Sequence, residues 1–144
     1  MKADAKTEEA VLASLEQFKQ AYAKRDIASL LALVAPDPDV VVIGTGADEK
    51  RVGLAEIKAQ AERDWSQSAS ASFELGWYSI SAAGSVAWVA ADLTGNIKIG
   101  EQEIHLPLRM TGVLEQRGEQ WLWVQQHLSM PTPDQGEGES WAVS

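Results

Sequence analysis

Apolar residues recur over residues 4–24 at helical spacing: Val11, Leu15, Phe18 and Tyr22 are separated by four, three and four positions, and Leu12 flanks them. That places one apolar stripe on an otherwise polar segment and predicts an amphipathic helix. Asp26 stands where an N-cap belongs for a second helix, Ile27–Val34, which is apolar at Ile27, Leu30, Leu31 and Val34. Pro36 and Pro38 end it, because proline cannot continue a helix and restricts the residue before it. Val40–Ile43 reads as a short strand. Gly44-Thr45-Gly46 breaks it, and Glu49-Lys50-Arg51-Val52 is a short return strand before Gly53. Leu54–Trp65 is a third helix, with Leu54, Ile57, Ala61 and Trp65 on one stripe.

From Ser70 onward the sequence reads as strands. Ser70–Ser81, Ser85–Ile99, Gln102–Glu115 and Gln120–Ser129 are four long ones, joined at Ala83-Gly84, Gly100-Glu101 and Arg117-Gly118-Glu119. Consecutive strands with short turns make an antiparallel meander. The expected fold is therefore α+β: a cone-like, curved antiparallel sheet with three helices from the N-terminal half packed on its concave face. One domain is expected over residues 1–131. The tail, 132–144, is expected to be irregular, with Trp141 able to anchor it to a neighbouring surface.

The last strand carries the most chemistry. Trp121, Trp123, Gln125, His127 and Ser129 alternate, so an unbroken strand places all five on one face and Leu122, Val124, Gln126 and Leu128 on the other. Aromatic rings beside hydrogen-bonding groups are what a ligand pocket needs.

Composition narrows the function classes. The chain has 144 residues, 45% hydrophobic and 23% charged, as expected of one globular domain. A net charge of −9 without clustered Lys/Arg argues against nucleic acid and anionic membrane surfaces as partners. With no cysteine, disulfides, thiolate catalysis and Cys-ligated zinc are excluded. His105 and His127 are the only histidines and have no ligand spacing, so no metal is expected. Gly44-Thr45-Gly46 lacks the lysine of a phosphate-binding loop, and there is no G-x-S-x-G elbow. No apolar run approaches the roughly 20 residues that span a bilayer, and Met1–Gln17 has no signal-like apolar core, so a cytoplasmic location is expected.

Four groups are candidates for chemistry, each with a plainer alternative. His127 can exchange a proton near neutral pH, or be a hydrogen-bonded histidine at an interface or inside the barrel. Arg109 can hold a carboxylate or enolate oxygen, or pair with Asp92 or Glu115. Asp92, the one acid in the apolar run Ser85–Leu93, can transfer a proton beside Trp88, or pair with Arg109. Tyr22 and Trp65 can close a pocket from the helix side, or simply pack. Six tryptophans likewise serve as core or interface bulk as readily as pocket lining.

The order helix–helix–strand–helix–meander, with DVVVIGTGADEKRVG over Asp39–Gly53 and W-x-W-V-x-x-H-x-S-x-P over Trp121–Pro131, resembles the nuclear transport factor two-like fold, a cone-shaped α+β barrel. Within it the chain resembles the SnoaL-like group and is similar to the association domain of calcium/calmodulin-dependent protein kinases; the likeness covers residues 5–131. The resemblance implies a homodimer through the outer sheet face, and a pocket between the concave face and the helices. Such proteins include steroid isomerases, polyketide cyclases, dehydratases, epoxide hydrolases and assembly domains, so the fold does not settle the function. Matched on the Arg25-Asp26 turn, the steroid isomerases' Tyr falls on Phe18, their base Asp on Ile43 or Gly44, and their second acid on Met110 or Thr111; none agrees. The pocket Arg of the kinase association domains falls near Thr111, with Arg109 on the same face.

The expectation is a homodimeric protein binding a small apolar or aromatic molecule, without a cofactor. It includes an isomerase-, cyclase- or dehydratase-type proton transfer by His127 and Asp92, with Arg109 or Tyr22 holding an oxygen. Tyr22, Trp65, Trp88, Trp123 and Gln125 would line the pocket. A non-catalytic dimerisation or assembly module is the competing reading.

Overall fold

The structure, a computed structural model, describes residues 1–143. Helix α1 spans Ala5–Ala23 and is capped by Asp4, whose carboxylate accepts from the Thr7 amide at 2.8 Å. Its stripe buries Val11 and Leu15 against the sheet. Arg25 then adopts φ 57°, and this left-handed residue turns the chain so that Asp26 caps α2, Ile27–Ala32. The Arg25 guanidinium donates to the carbonyls of Trp65 and Ser68, both at 2.7 Å. This places a cation where the end of α3, Leu54–Ser66, leaves carbonyls unpaired. The α1–α2 turn and the end of α3 are thereby tied together.

The strands are β1 (Val41–Ile43), β2 (Lys50–Val52), β3 (Ser70–Ala83), β4 (Val86–Ile99), β5 (Gln102–Arg117) and β6 (Gln120–Ser129). They form one six-stranded sheet in the order β2-β1-β6-β5-β4-β3. The meander is antiparallel as expected, but β1 runs parallel to β6, so the sheet is mixed. It curls without closing, and the fold is the anticipated α+β cone. The core fills its concave side with Ala87, Val89, Ala91 and Leu93 of β4, and Leu108, Met110 and Leu114 of β5.

Strand β6 departs from simple alternation. Val113 pairs with Gln125 but Leu114 pairs with Trp123, so Val124 is an extra residue, a β-bulge. Before it, Trp121 and Trp123 point inward; after it, Gln126 and Leu128 do, opposite Gly112 and Met110. Gln125 and His127 are turned to the exposed side. The expectation that Trp121, Trp123, Gln125, His127 and Ser129 share one face is corrected here: one inserted residue exchanges the faces of everything after it.

From Met130 to Val143 the tail carries no helix or strand, and Trp141 is 80% exposed, so it anchors nothing among the described residues.

Candidate ligand-binding site

A cavity of about 320 Å³ lies between α1, α3 and the concave face. That volume is at the lower end of the range for small-molecule sites. Phe18 and Tyr22 of α1 and Phe73, Leu108 and Trp123 of the sheet supply an aromatic and aliphatic wall. Thr45, Gln67 and Ile99 are lining residues exposed to solvent and mark its mouth. Trp123 is held by its indole N–H, which donates to Ser14 Oγ at 3.1 Å, and its ring meets Phe18 at 6.4 Å.

One side of the cavity is polar, and α3 brings it there. Ile57, Gln60, Ala61 and Asp64 follow one another at helical spacing, so Gln60 and Asp64 ride on the inward stripe with the apolar residues. Asp64 Oδ2 accepts from the Tyr22 hydroxyl at 2.9 Å, and its Oδ1 from Gln60 Nε2 at 2.7 Å. Gln60 also donates to Glu49 Oε1 at 2.9 Å and accepts from Arg51 Nε at 2.9 Å. Glu49 is bridged by Arg63 at 3.2 Å, and the Gly46 amide donates to its other oxygen. A Cβ on Gly44 would lie 2.8 Å from that carboxylate, so the glycine there makes room for Glu49 to tuck against the loop.

Burial dominates the electrostatics. It pushes the Asp64 carboxyl above the ordinary aspartate value, against the donors Gln60 and Tyr22; the nearby Glu49 charge pushes the same way. Burial and then the Asp64 charge push the Tyr22 phenol up, so it stays protonated and donates. An acid raised toward neutrality, beside a fixed phenol and open to an apolar cavity, is equipped to give or take a proton.

The sequence-predicted residues divide. Tyr22 and Trp123 line the cavity. Gln125 borders it, yet the residue is exposed and registered opposite Val113. Trp65 is buried behind Tyr22, ring centroids 5.8 Å apart, and is not a lining residue. His127, Asp92, Arg109 and Trp88 are not lining residues either. The first three are exposed and Trp88 is half-buried on the convex face, because β4 and β5 turn Ala91, Leu93, Leu108 and Met110 inward instead. Asp92 and Arg109 are opposite in register, but Arg109 donates to the Met130 carbonyl at 3.4 Å, and no ion pair joins the two among the described residues. Sequence reasoning missed Asp64, Gln60, Glu49, Arg51 and Gln126. The signal for the first two was present: they stand three and seven residues after Ile57, on the stripe already marked by Ala61 and Trp65. Among the described residues no cluster of three or more acids or histidines is arranged to hold a metal. Among the described residues no helix is long and apolar enough to cross a membrane.

Comparison with known proteins agrees with this architecture. The family model described as a SnoaL-like domain matches residues 11–133. No curated protein matches the chain. Among solved structures, an NTF2-like protein of unknown function from Pseudomonas putida is 23% identical with a TM-score of 0.77, over 99% of this chain and 96% of that one. A "putative dehydratase" of the NTF2-like family from Streptomyces avermitilis is 19% identical with a TM-score of 0.77, over 90% and 99%. A "putative calcium/calmodulin dependent protein kinase II association domain" from Xanthomonas campestris is 21% identical with a TM-score of 0.76, over 85% and 86%. At these identities the likeness speaks for the fold.

Proposed function

The chain belongs to the SnoaL-like domain family, and from that premise we propose that it binds a largely apolar small molecule in the cavity and moves a proton on it through Asp64. The observation that carries this reading is the Tyr22–Asp64 hydrogen bond, 2.9 Å, at the polar side of a cavity whose facing wall is aromatic and aliphatic. Asp64 acts as the base or acid, and Tyr22 orients it through the hydrogen bond its hydroxyl donates. Gln60 fixes Asp64 from the other side and links it to Glu49 and Arg51. The reaction class is cofactor-free isomerisation or dehydration, in keeping with the relative named as a dehydratase. The acid is on α3, whereas His127, Asp92 and Arg109 are assigned to the convex face.

The test uses 2-tetralone, a neutral ring ketone with an acidic C–H. The protein should bind it and speed its uptake of solvent deuterium. Asp64→Asn should still bind and lose the exchange, while Tyr22→Phe should weaken it. Binding without exchange reduces the protein to a passive binder, and exchange that survives Asp64→Asn removes Asp64 from the mechanism.

A second reading is self-association through the convex face. Trp88, Ala90 and Val113 form an apolar strip there, flanked by Asp92, Arg109 and His127, and one relative is named as an association domain. A homodimer would cover this strip and leave the cavity, on the opposite face, free. Solution mass tests it: a monomer at micromolar concentration excludes the reading.

A further inference from the structure

Gln126 has a side chain that nothing in the fold explains. It is 3% exposed, it lines the cavity, and its Nε2 has no hydrogen-bond partner among the described residues. A buried donor left without a partner costs stability, and an apolar residue of similar shape would carry no such cost. Its neighbours inside the cone are apolar: Gly112 is opposite on β5, Val42 is opposite on β1, and Trp123 and Leu128 line the same wall. Among the described residues the other orphan, Trp65 Nε1, is not on a lining residue and says nothing of a ligand.

A second observation fixes the chemistry such a donor would serve. Among the described lining residues Arg51 is the sole cation, and its Nε is engaged by Gln60; Glu49 and Asp64 are both acids. An anionic ligand would meet two carboxylates at the polar side and a neutral amide at the sheet. A neutral acceptor oxygen meets no repulsion and gives the amide N–H a partner.

We propose that Gln126 is the specificity-determining residue of the cavity, donating a hydrogen bond to a neutral carbonyl or ether oxygen on the sheet side of the ligand. The ligand then has two polar points: an oxygen held by Gln126, and a second polar group at Tyr22 and Asp64. An apolar body lies between them against Phe73, Leu108 and Trp123. The proposal rests on the small-molecule reading of the cavity but not on proton transfer.

The experiment compares 2-tetralone with tetralin, the same ring system without the oxygen. Affinities for both are measured by calorimetry in the wild-type protein and in Gln126→Leu. The wild type should prefer the ketone about tenfold, the value of one hydrogen bond of ordinary strength, and Gln126→Leu should bind both alike. The unliganded Gln126→Leu protein should also melt higher than wild type, since it removes an orphaned donor. Equal wild-type affinity for the two probes, or a preference that persists in Gln126→Leu, overturns the role of Gln126 while leaving the cavity a binding site. Binding of neither probe overturns both readings. A fall in melting temperature on Gln126→Leu assigns the amide a structural partner and overturns the proposal without any ligand.

Discussion

Gly112→Ala should be disproportionately costly. A Cβ at that position would lie 2.4 Å from Trp123 Cζ3, 3.0 Å from its Cε3 and 3.2 Å from the Gln125 carbonyl oxygen. Carbon atoms pack best at about 3.5–4.0 Å, so the indole must retreat by about 1 Å. It has nowhere easy to go: Trp123 is 2% exposed, its N–H is bonded to Ser14 and its ring leans on Phe18. Overpacking of this kind costs about 1–3 kcal/mol, and loosening the Ser14 bond adds about 1. Replacing glycine stiffens the unfolded chain and returns about 0.4–1 kcal/mol, because Gly112 is not in the left-handed region. The net expectation is a loss of about 2–3 kcal/mol, or about 4–12 °C in melting temperature for a chain of this size. Urea unfolding followed by tryptophan fluorescence measures it. Combined with Trp123→Phe, whose smaller ring withdraws the clashing atoms, Gly112→Ala should cost less than it does alone, by about 1 kcal/mol or more of coupling. A single variant within about 0.5 kcal/mol of wild type, or strict additivity in the cycle, would show that the indole moves freely and refute the reasoning.

The charged groups give directional expectations. Because burial raises the Asp64 carboxyl, its ionisation works against the fold; that cost is absent below the ordinary aspartate value, grows as pH climbs through it, and is complete above the raised value. Asp64→Asn should therefore be more stable than wild type at neutral pH and equal to it in acid, and urea midpoints across pH that showed the reverse would contradict this. The paired Arg117 guanidinium holds the Asp37 carboxyl below its ordinary value, so Asp37 stabilises above the ordinary value and loses that contribution as pH falls through the lowered one. Asp37→Asn should flatten the acid limb of the stability curve, and added salt should diminish the difference, since the pair is only half-buried. His127→Ala, Asp92→Asn and Arg109→Ala should each leave the affinity for 2-tetralone within about twofold, because none reaches the cavity; a larger loss in the calorimeter would return the site to the convex face.

Much of the fold was legible because its signals are local. Asp4 and Asp26 cap helices, the Ile57–Ala61–Trp65 stripe sets a face, and the turns at Gly84, Gly100 and Gly118 (φ 60–64°) adopt a backbone that other residues resist. The parallel pairing of β1 with β6 was not legible, since strand partners distant in sequence leave no periodic trace. The site was legible in part for the same reason. Tyr22 and Trp123 could be placed because the first lies on an unbroken helical stripe and the second precedes the bulge. His127 could not, since nothing in W-V-Q-Q-H announces that Val124 bulges.

That bulge is also what gives the cavity its polar sheet wall. Without it, Trp123, Gln125 and His127 would share the inner face and Gln126 would be exposed. With it, one inner residue is a bulky indole and the next is a buried amide without a partner. Gly112 belongs to the same arrangement: it is registered opposite Gln126, and its missing side chain leaves the space that Trp123 occupies. The insertion on β6 and the glycine on β5 thus act together, one choosing which side chains face the ligand and the other making room for them. A variant that deleted Val124 would make the strand regular with Trp123, Gln126 and Leu128 still inward and Gln125 and His127 still outward, so the preference for 2-tetralone over tetralin should survive if the chain still folds. Loss of that preference in a folded deletion variant would show that the facing of Gln126 depends on more than the count of residues after Trp123.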